Sequence, residues 1–171
     1  MYIQGKYLLA GLHDISECLA IRKEVFGGEQ NFPSAAAEDT EDKSAVFVLA
    51  YQTGEKYNST YSVENEKEER EHMFPVGTGR LIFLGDIYKI GRIAVKKEFR
   101  GQGYGDFIVR MLVDKAFIMG AKEVFVGAQE HAIPFYEKIG FVKLEESYEE
   151  DHIIHYMMKI TPHMCKRACM H

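Results

Sequence analysis

Apolar residues recur at helical spacing in one long segment of the chain. The positions i, i+3, i+4, i+8 and i+11 are taken by Ile108, Met111, Leu112, Ala116 and Met119. This spacing places all five side chains on one face of a helix. Gly120 follows directly, as expected for the left-handed residue at which many helices end. The pattern therefore predicts a long amphipathic helix that ends at Met119.

Seven shorter segments are rich in apolar and strand-forming residues, which is typical of β-strands. They are residues 2–9, 45–51, 76–84, 87–95, 124–128, 141–148 and 153–160. Gly85 and Asp86 separate the third segment from the fourth and predict the tight turn of a β-hairpin.

Two further helices are predicted, one after the first strand and one after the fifth. Asp14 and Glu17 resemble an N-cap acid and the residue that reaches back to it, and helical spacing continues to Phe26. Residues 132–139 predict a short helix that Gly140 closes. The order of elements is then strand, helix, three strands, helix, strand, helix and two strands. Hairpins and one strand–helix–strand crossover predict an α+β fold with a mixed, largely antiparallel sheet flanked by helices.

Residues 54–74 interrupt the regular pattern, because 54–61 are polar and 64–71 are nearly all charged. This composition predicts a solvated hairpin extension or a mobile loop, with a lid over a substrate as the alternative. Residues 161–171 are expected to form a flexible tail. The chain contains no internal repeat, and 171 residues suit one domain, so residues 1–171 are expected to form a single domain.

Composition and charge narrow the classes of function. Hydrophobic residues make up 46% of the chain, enough for a core, yet no segment approaches the roughly 18 consecutive apolar residues of a membrane span. The net charge of −5 argues against nucleic acid as a partner. The N-terminus lacks the features of a secretory signal, and three cysteines provide no disulfide framework. A cytoplasmic protein that binds neither nucleic acid nor membranes is therefore expected.

Alternating glycines between the fourth strand and the long helix carry the main chemical signal. Gly101, Gly103 and Gly105 precede a helix N-terminus, which presents unpaired N–H groups and the positive end of the helix dipole. Glycine lets that backbone approach a ligand closely, so the segment predicts a pyrophosphate-binding loop. The spacing matches neither the nucleotide-triphosphate loop nor the dinucleotide G-x-G-x-x-G motif. A turn that only caps the helix is the alternative.

The run from Arg100 to Gly105 resembles the Arg/Gln-x-x-Gly-x-Gly/Ala signature of the GNAT family of N-acetyltransferases. The resemblance implies that this loop holds the pyrophosphate of acetyl-coenzyme A. It also implies that the preceding strand offers backbone groups to the thioester carbonyl and the pantetheine arm. The cofactor-binding residues expected from it are Ile93, Ala94, Val95, Arg100, Gly101, Gln102, Gly103, Tyr104, Gly105 and Asp106.

A second segment, residues 129–141, resembles the family's Asn-x-x-Ala-x-x-Phe/Leu-Tyr-Glu-Lys-x-Gly-Phe stretch. The resemblance implies that Tyr136 protonates the departing coenzyme A thiolate. The chemistry is consistent with this role, since a phenol with a pKa of about 10 can supply a proton to a thiolate whose conjugate acid has about 8.5. Gln129 stands where the family often has Asn and keeps an amide for the pantetheine contact. A packing role for Tyr136 is the alternative.

The resemblance covers residues 75–160 and extends to the N-terminal part. Residues 21–30 look like the Arg-x-x-Val-Phe-x-x-Glu-Gln stretch of a bacterial subgroup, the ElaA/YjcF-like acetyltransferases, as do residues 76–81 and 153–155. An acceptor amine must lose a proton before or during attack on a thioester, so the site needs a base. The candidates are Glu29, Asp39, Asp42, His131 and His155. Glu29 and His155 are preferred because they lie in the subgroup-like segments, although each candidate has a structural or surface role as its alternative.

Arg80 and Arg92 stand on adjacent predicted strands and are candidates to bind an anionic group of the acceptor, with salt bridges to nearby acids as the alternative. The tail contains metal-ligand types, but no metal site is expected so near a chain end. These residues are His163, Cys165, Cys169 and His171.

The sequence thus predicts an N-acetyltransferase that moves the acetyl group of acetyl-coenzyme A directly to an amine of a small molecule, with Tyr136 as the general acid. No cysteine is placed for a covalent intermediate, since Cys18 lies on a predicted amphipathic helix and the others lie in the tail. Two alternatives remain: an acyltransferase with another acyl-coenzyme A donor, and a non-catalytic module that binds coenzyme A for regulation. The sequence also leaves open whether the chain acts alone or as a homodimer.

Overall fold

A computed structural model describes residues 2–53 and 73–165 of the protein. The predicted insertion at 54–74 therefore lies almost wholly outside the described residues, and so do Cys169 and His171 of the predicted tail.

Seven strands of the described residues form one sheet in the order β1-β2-β3-β4-β5-β7-β6. Their bounds are β1 Ile3–Leu9, β2 Val46–Thr53, β3 Met73–Leu84, β4 Ile87–Val95, β5 Val124–Gln129, β6 Val142–Glu150 and β7 Ile153–Ile160. Neighbouring strands are antiparallel except β4 and β5, which are parallel and joined by a helical crossover. The predicted fold class, a mixed and largely antiparallel α+β sheet, is confirmed.

Helices cover both faces of this sheet. The α-helices are α1 Ser16–Arg22, α2 Pro33–Ala36, α3 Tyr104–Ile118 and α4 Ile133–Ile139. β2 is buried on both sides, since Val46, Val48 and Ala50 face the core under α3, whereas Phe47 and Leu49 face the core under α1.

α3 packs closely on β3 because this strand carries glycine beneath the helix. A Cβ atom added at Gly79 would lie 2.9 Å from side-chain atoms of both Ile108 and Leu112, so only glycine permits this separation. The predicted end of the helix is confirmed, since Gly120 follows it with a φ of 98°.

The structure departs from the sequence prediction between residues 14 and 45. Asp14 lies ahead of α1 and accepts a hydrogen bond from the Ser16 backbone, while the helix has no side-chain cap. α1 then widens into a π-helix at Lys23–Glu29. Pro33 begins α2, at a position where its missing N–H costs nothing. A 3-10 helix follows at Thr40–Ser44, and the Asp39 side chain caps its start.

Candidate active site

β4 and β5 pair along only part of their length. Their ladder consists of Tyr88–Val124, Lys89–Phe125 and Ile90–Val126. β4 nevertheless continues to Val95 and β5 to Gln129. Because the two strands are parallel, their unpaired carboxyl ends leave a gap at the same edge of the sheet.

A β-bulge in β4 accompanies this gap. Thr78 and Arg80 of β3 lie opposite Ala94 and Gly91, so two steps along β3 match three along β4. Arg92, within the extra stretch, has a φ of 53°, a left-handed conformation that is uncommon outside glycine. Bulges of this kind redirect side chains beside functional sites.

A cavity of about 390 Å³ opens at the gap. Both strands line it: β4 with Lys89, Ile90, Gly91, Arg92 and Ile93, and β5 with Gly127, Ala128 and Gln129. Further walls come from residues 26–35, Glu41, β3, residues 131–136 and the β6–β7 hairpin. The cavity brings together the predicted site residues Ile93, Arg80, Arg92, Gln129, His131, Tyr136 and His155.

Tyr136 reaches the cavity from α4 and is otherwise enclosed by aromatic rings. The ring centroids of Phe135 and Phe141 lie 4.9 Å and 5.5 Å from its own, both in edge-to-face geometry. Burial, and secondarily the neighbouring Tyr148, raises the pKa of Tyr136 well above its ordinary value. The phenol is therefore protonated throughout the neutral pH range and can act as a proton donor.

The glycine loop, residues 100–105, lies beyond the end of β4 and begins α3. Gly101 and Gly103 have φ values of 73° and 90°, which side chains rarely adopt, and Gly103 is the N-cap of the helix. The first intrahelical bond runs from the Phe107 N–H to the Gly103 carbonyl at 3.0 Å, and no side chain caps the helix. The N–H groups of residues 104–106 thus remain unpaired within the helix and suit an anion.

Three residues of this segment that were predicted to bind the cofactor direct their side chains toward other parts of the protein. The Tyr104 ring is buried in the core, and its hydroxyl has no hydrogen-bond partner among the described residues. The Gln102 amide donates to the Glu98 carbonyl at 2.9 Å, and Asp106 pairs with Arg110 at 2.7 Å. Because these three side chains are engaged elsewhere, Tyr104, Gln102 and Asp106 can bind an anion only through their backbone N–H groups.

Arg100 and Glu29, predicted for opposite sides of the site, form an ion pair with each other. The two terminal nitrogens of Arg100 contact the two carboxylate oxygens of Glu29 at 2.5 Å and 2.7 Å, and its Nε donates to the Val95 carbonyl at 2.9 Å. The hydrogen bond from Arg100 lowers the pKa of Glu29. Glu29 does not line the cavity, and its carboxylate is engaged by Arg100, so the structure does not bring it together with the other predicted acceptor-side residues. Arg100 ties the glycine loop to β4 and to the π-helix.

Beneath the cavity, acidic and basic side chains form a charge cluster. Its members are Arg22, Asp39, Glu41, Asp42, Arg80, Arg92 and Glu150. Asp42 contacts both Arg22, at 2.8 Å, and Arg80. Burial opposes the ionisation of Asp39, yet hydrogen bonds and charge from Arg80 outweigh it and lower the pKa of Asp39 to about 2.

The cluster contains Arg80 and Arg92, the two arginines for which the sequence offers an acceptor-binding role or salt bridges. Arg80 is bound by Asp39, Glu41 and Asp42, and Arg92 by Glu150 at 2.9 Å, so the salt-bridge alternative describes both arginines. Asp39 and Asp42 are likewise engaged and are not placed as bases. The Nε of Arg92 is buried without a partner among the described residues.

His155 is buried in a stack of rings on the cavity wall. The centroids of Phe32 and Tyr148 lie 5.8 Å and 5.2 Å from that of His155. Its Nδ1 lies 3.0 Å from the Ile153 carbonyl. Because a carbonyl oxygen only accepts, Nδ1 donates in this contact, and Nε2 of the neutral ring keeps its lone pair. His131 also lines the cavity but is exposed.

Sequence reasoning missed Tyr148 and Lys89, which complete this wall. Tyr148 pairs with His155 across the β6–β7 hairpin, and Lys89 Nζ lies 4.7 Å above its ring. A Cβ atom added at Gly127 would lie 2.1 Å from the Tyr148 hydroxyl oxygen, so the phenol occupies space that only glycine leaves open. The predicted hairpin could have revealed Tyr148, since the period-2 alternation of its strands puts cross-strand neighbours on one face.

A hydrogen-bonded clamp joins α2 to the turn between β6 and β7. The Ser34 backbone N–H and hydroxyl donate to the two carboxylate oxygens of Asp151 at 2.8 Å and 2.7 Å. Phe32 directly precedes α2 and His155 lies on β7 just after the turn, so the clamp lies beside the stacking contact between their rings.

Neither a metal site nor a membrane span was detected in residues 2–53 and 73–165. No three His, Cys, Asp or Glu side chains there are grouped to hold an ion. Across the same residues, the helices are too short or too polar to cross a bilayer.

Comparison with known proteins gives consistent results. The acetyltransferase (GNAT) domain model matches residues 15–162. The uncharacterized N-acetyltransferase YjcF of Bacillus subtilis is 31% identical over 132 residues, which are 77% of this chain and 81% of that protein. The crystal structure of Escherichia coli ElaA superposes with a TM-score of 0.71 at 24% identity, covering 92% and 99% of the chains. A Bacillus subtilis acetyltransferase in complex with CoA superposes with a TM-score of 0.56 at 15% identity. The superposition covers 92% of this chain and 99% of that one.

Proposed function

Because the chain belongs to the GNAT family of acetyltransferases and is therefore an acyltransferase, we propose that it moves an acetyl group from acetyl-coenzyme A directly to an amine of a small molecule. The observation that carries this proposal is the protonated phenol of Tyr136 in the cavity at the β4–β5 gap. The family match over residues 15–162 also supports the assignment of residues 1–171 to a single domain.

The donor side of the site consists of the glycine loop and the end of β4. The unpaired N–H groups at the start of α3 and the left-handed glycines fit a pyrophosphate. Beyond Ile90, β4 has no ladder to β5, so the gap-facing side of Ile93, Ala94 and Val95 fits an extended pantetheine arm, with Gln129 of β5 also on the cavity wall. Coenzyme A supplies the acetyl group as a thioester. Arg100 acts by holding the loop in place.

The acceptor side is the part of the cavity lined by Phe26, Phe32, Lys89, Tyr148 and His155. His155 Nε2 takes a proton from the attacking amine, and the Tyr136 hydroxyl gives one to the departing sulfur. A nitrogen–carbon bond forms as the carbon–sulfur bond breaks. The proton on His155 then returns through solvent to the Tyr136 phenolate, so that over the whole cycle one proton passes from the amine to the thiolate. Cys18 supports direct transfer, since burial raises the pKa of its thiol to about 11 and it is absent from the cavity wall.

Thiol release from acetyl-coenzyme A across a panel of small amines tests the proposal. Tyr136→Phe should lower kcat by about 100-fold, the lower end of general acid catalysis, and leave cofactor affinity unchanged, because the phenol acts mainly in the transition state. The loss should shrink with a donor whose thiol is more acidic.

Tyr156→Phe is the matched control, because it removes a phenol from β7 outside the cavity wall and should leave kcat unchanged. Parental turnover of the Tyr136 variant would reduce Tyr136 to a packing residue. Coenzyme A binding without thiol release for any amine would favour a non-catalytic module.

A further inference from the structure

Three lysine and arginine side chains line the described part of the cavity: Arg80, Arg92 and Lys89. The two arginines are held by carboxylates of the charge cluster. Lys89 differs from them, since no ion pair joins it to a carboxylate of residues 2–53 or 73–165.

The contacts of Lys89 leave most of the hydrogen-bonding capacity of its ammonium group available. Its Nζ lies over the Tyr148 ring and 3.5 Å from the Tyr148 hydroxyl, which occupies at most one of its three donors. Burial lowers the pKa of Lys89, whereas Glu41 and Glu150 act on it only at longer range and are themselves bound to the arginines. A half-buried cation of this kind is stabilised by an anion that enters the cavity.

The other walls of the acceptor side limit the size and polarity of the molecule that carries this anion. Phe26, Phe32 and Ile82 give the cavity apolar walls, and its volume of about 390 Å³ is near the low end of about 300–1,000 Å³ for small-molecule sites. One unpaired positive charge matches a monoanionic carboxylate better than a phosphate dianion. The amine of the same molecule must reach the wall that contains His155 and Tyr136.

We propose that the acceptor is a small aminocarboxylate, whose carboxylate pairs with Lys89 while its amine receives the acetyl group. This inference rests on the proposed function and specifies its substrate class. Lys89, rather than Arg80 or Arg92, is then the residue that binds the anionic group.

Matched acceptors test the inference in the unmodified protein. Aminocarboxylates are compared with their carboxamides and with the corresponding aminophosphonates, by thiol release from acetyl-coenzyme A. The carboxylates should have kcat/KM values about 10- to 100-fold higher than the carboxamides, as expected for a charge-assisted hydrogen bond in a partly buried site. Equal values for carboxylate and carboxamide would overturn the inference, and preference for the phosphonate would overturn its choice of anion.

Lys89→Met keeps the length of the side chain and removes its charge. It should raise KM for the aminocarboxylate by about 10- to 100-fold and leave KM for the carboxamide and for acetyl-coenzyme A unchanged, while Lys89→Arg should recover part of the loss. Lys143→Met is the matched control, since Lys143 also lies over a tyrosine ring, at 3.8 Å from that of Tyr156, but outside the cavity wall.

The outcomes separate the two proposals. Equal losses for carboxylate and carboxamide in Lys89→Met would contradict carboxylate binding even though acetyl transfer stands. Failure of the unmodified protein to release thiol with every amine would instead overturn the proposed function and this inference with it. If Lys89→Met does not fold, the comparison of carboxylate and carboxamide acceptors in the unmodified protein still tests whether the site prefers a carboxylate.

Discussion

The glycine loop beyond the end of β4 and the charge cluster beneath the cavity are stabilised by different means. The loop depends on backbone, through left-handed glycines and the free N–H groups at the start of α3. The cluster depends on side chains from α1, the 3-10 helix, β3, β4 and β6, with Asp42 buried between two arginines. The loop should therefore be sensitive to backbone strain and the cluster to the loss of a single charge.

Asp42→Asn should have the largest effect on this comparison. Removing one charge leaves Arg22 and Arg80 buried without their shared partner, a change that typically costs about 3–5 kcal/mol of stability. Urea unfolding would measure the loss, and Asp86→Asn, in the exposed turn between β3 and β4, is the control that should change little. A loss below about 1 kcal/mol would mean that the cluster contributes no more than surface ion pairs do.

Gly103→Val should break the donor side. Valine at a φ of 90° is strained, and its side chain would obstruct the close approach of a pyrophosphate, so coenzyme A affinity should fall by about 100-fold, or about 2.7 kcal/mol. Gly11→Val imposes the same kind of strain at a φ of 83°, away from the loop. Calorimetry should show loss of binding only at position 103. Equal affinities in the two folded variants would remove the loop from the donor site.

Asp39 offers a pH test of the charge cluster. Its pKa of about 2 lies below the roughly 3.9 of an unfolded aspartate, so the folded protein binds fewer protons. This contribution, about 2 kcal/mol, is fully present above about pH 4 and is lost as the pH falls toward about 2. Asp39→Asn should lower stability at pH 7 and make the decline between pH 4 and 2 shallower, as urea unfolding at several pH values would detect. If stability declined as steeply in Asp39→Asn as in the unmodified protein, other carboxylates would be responsible for the loss of stability at low pH.

The smallest expected effect belongs to the ion pair between Arg100 and Glu29. If Arg100 only orients the glycine loop, Arg100→Met and Glu29→Gln should each weaken coenzyme A binding by about fivefold. The double variant should lose no more than either one, because both break one contact. A loss confined to Arg100→Met would indicate direct contact with a phosphate.

The contrast also explains how far the sequence could be interpreted. The glycine loop and Tyr136 were predicted because their features are local: a few residues determine a φ value, a helix start or a short helix. The predicted strands, the hairpin at Gly85 and the helix end at Gly120 were confirmed for the same reason.

Contacts between distant positions could not be predicted in this way. Asp42 meets Arg22 and Arg80 across 20 and 38 residues, and Arg100 meets Glu29 across 71. Sequence alone leaves open which of many carboxylates reaches which cation, so Glu29 was interpreted as a base. Lys89 was overlooked because a lysine on a strand carries no motif, and its importance depends on which neighbouring cations are already paired.

The contact between Gly127 and Tyr148 has a consequence for how related proteins can diverge. A side chain at position 127 cannot coexist with the Tyr148 phenol in its present place, since a Cβ atom there would lie 2.1 Å from the hydroxyl oxygen. Substitutions at these two positions, 21 residues apart, should therefore be inherited together. In relatives that replace the glycine, the tyrosine should be replaced as well. Changes in this wall of the cavity should then involve both positions.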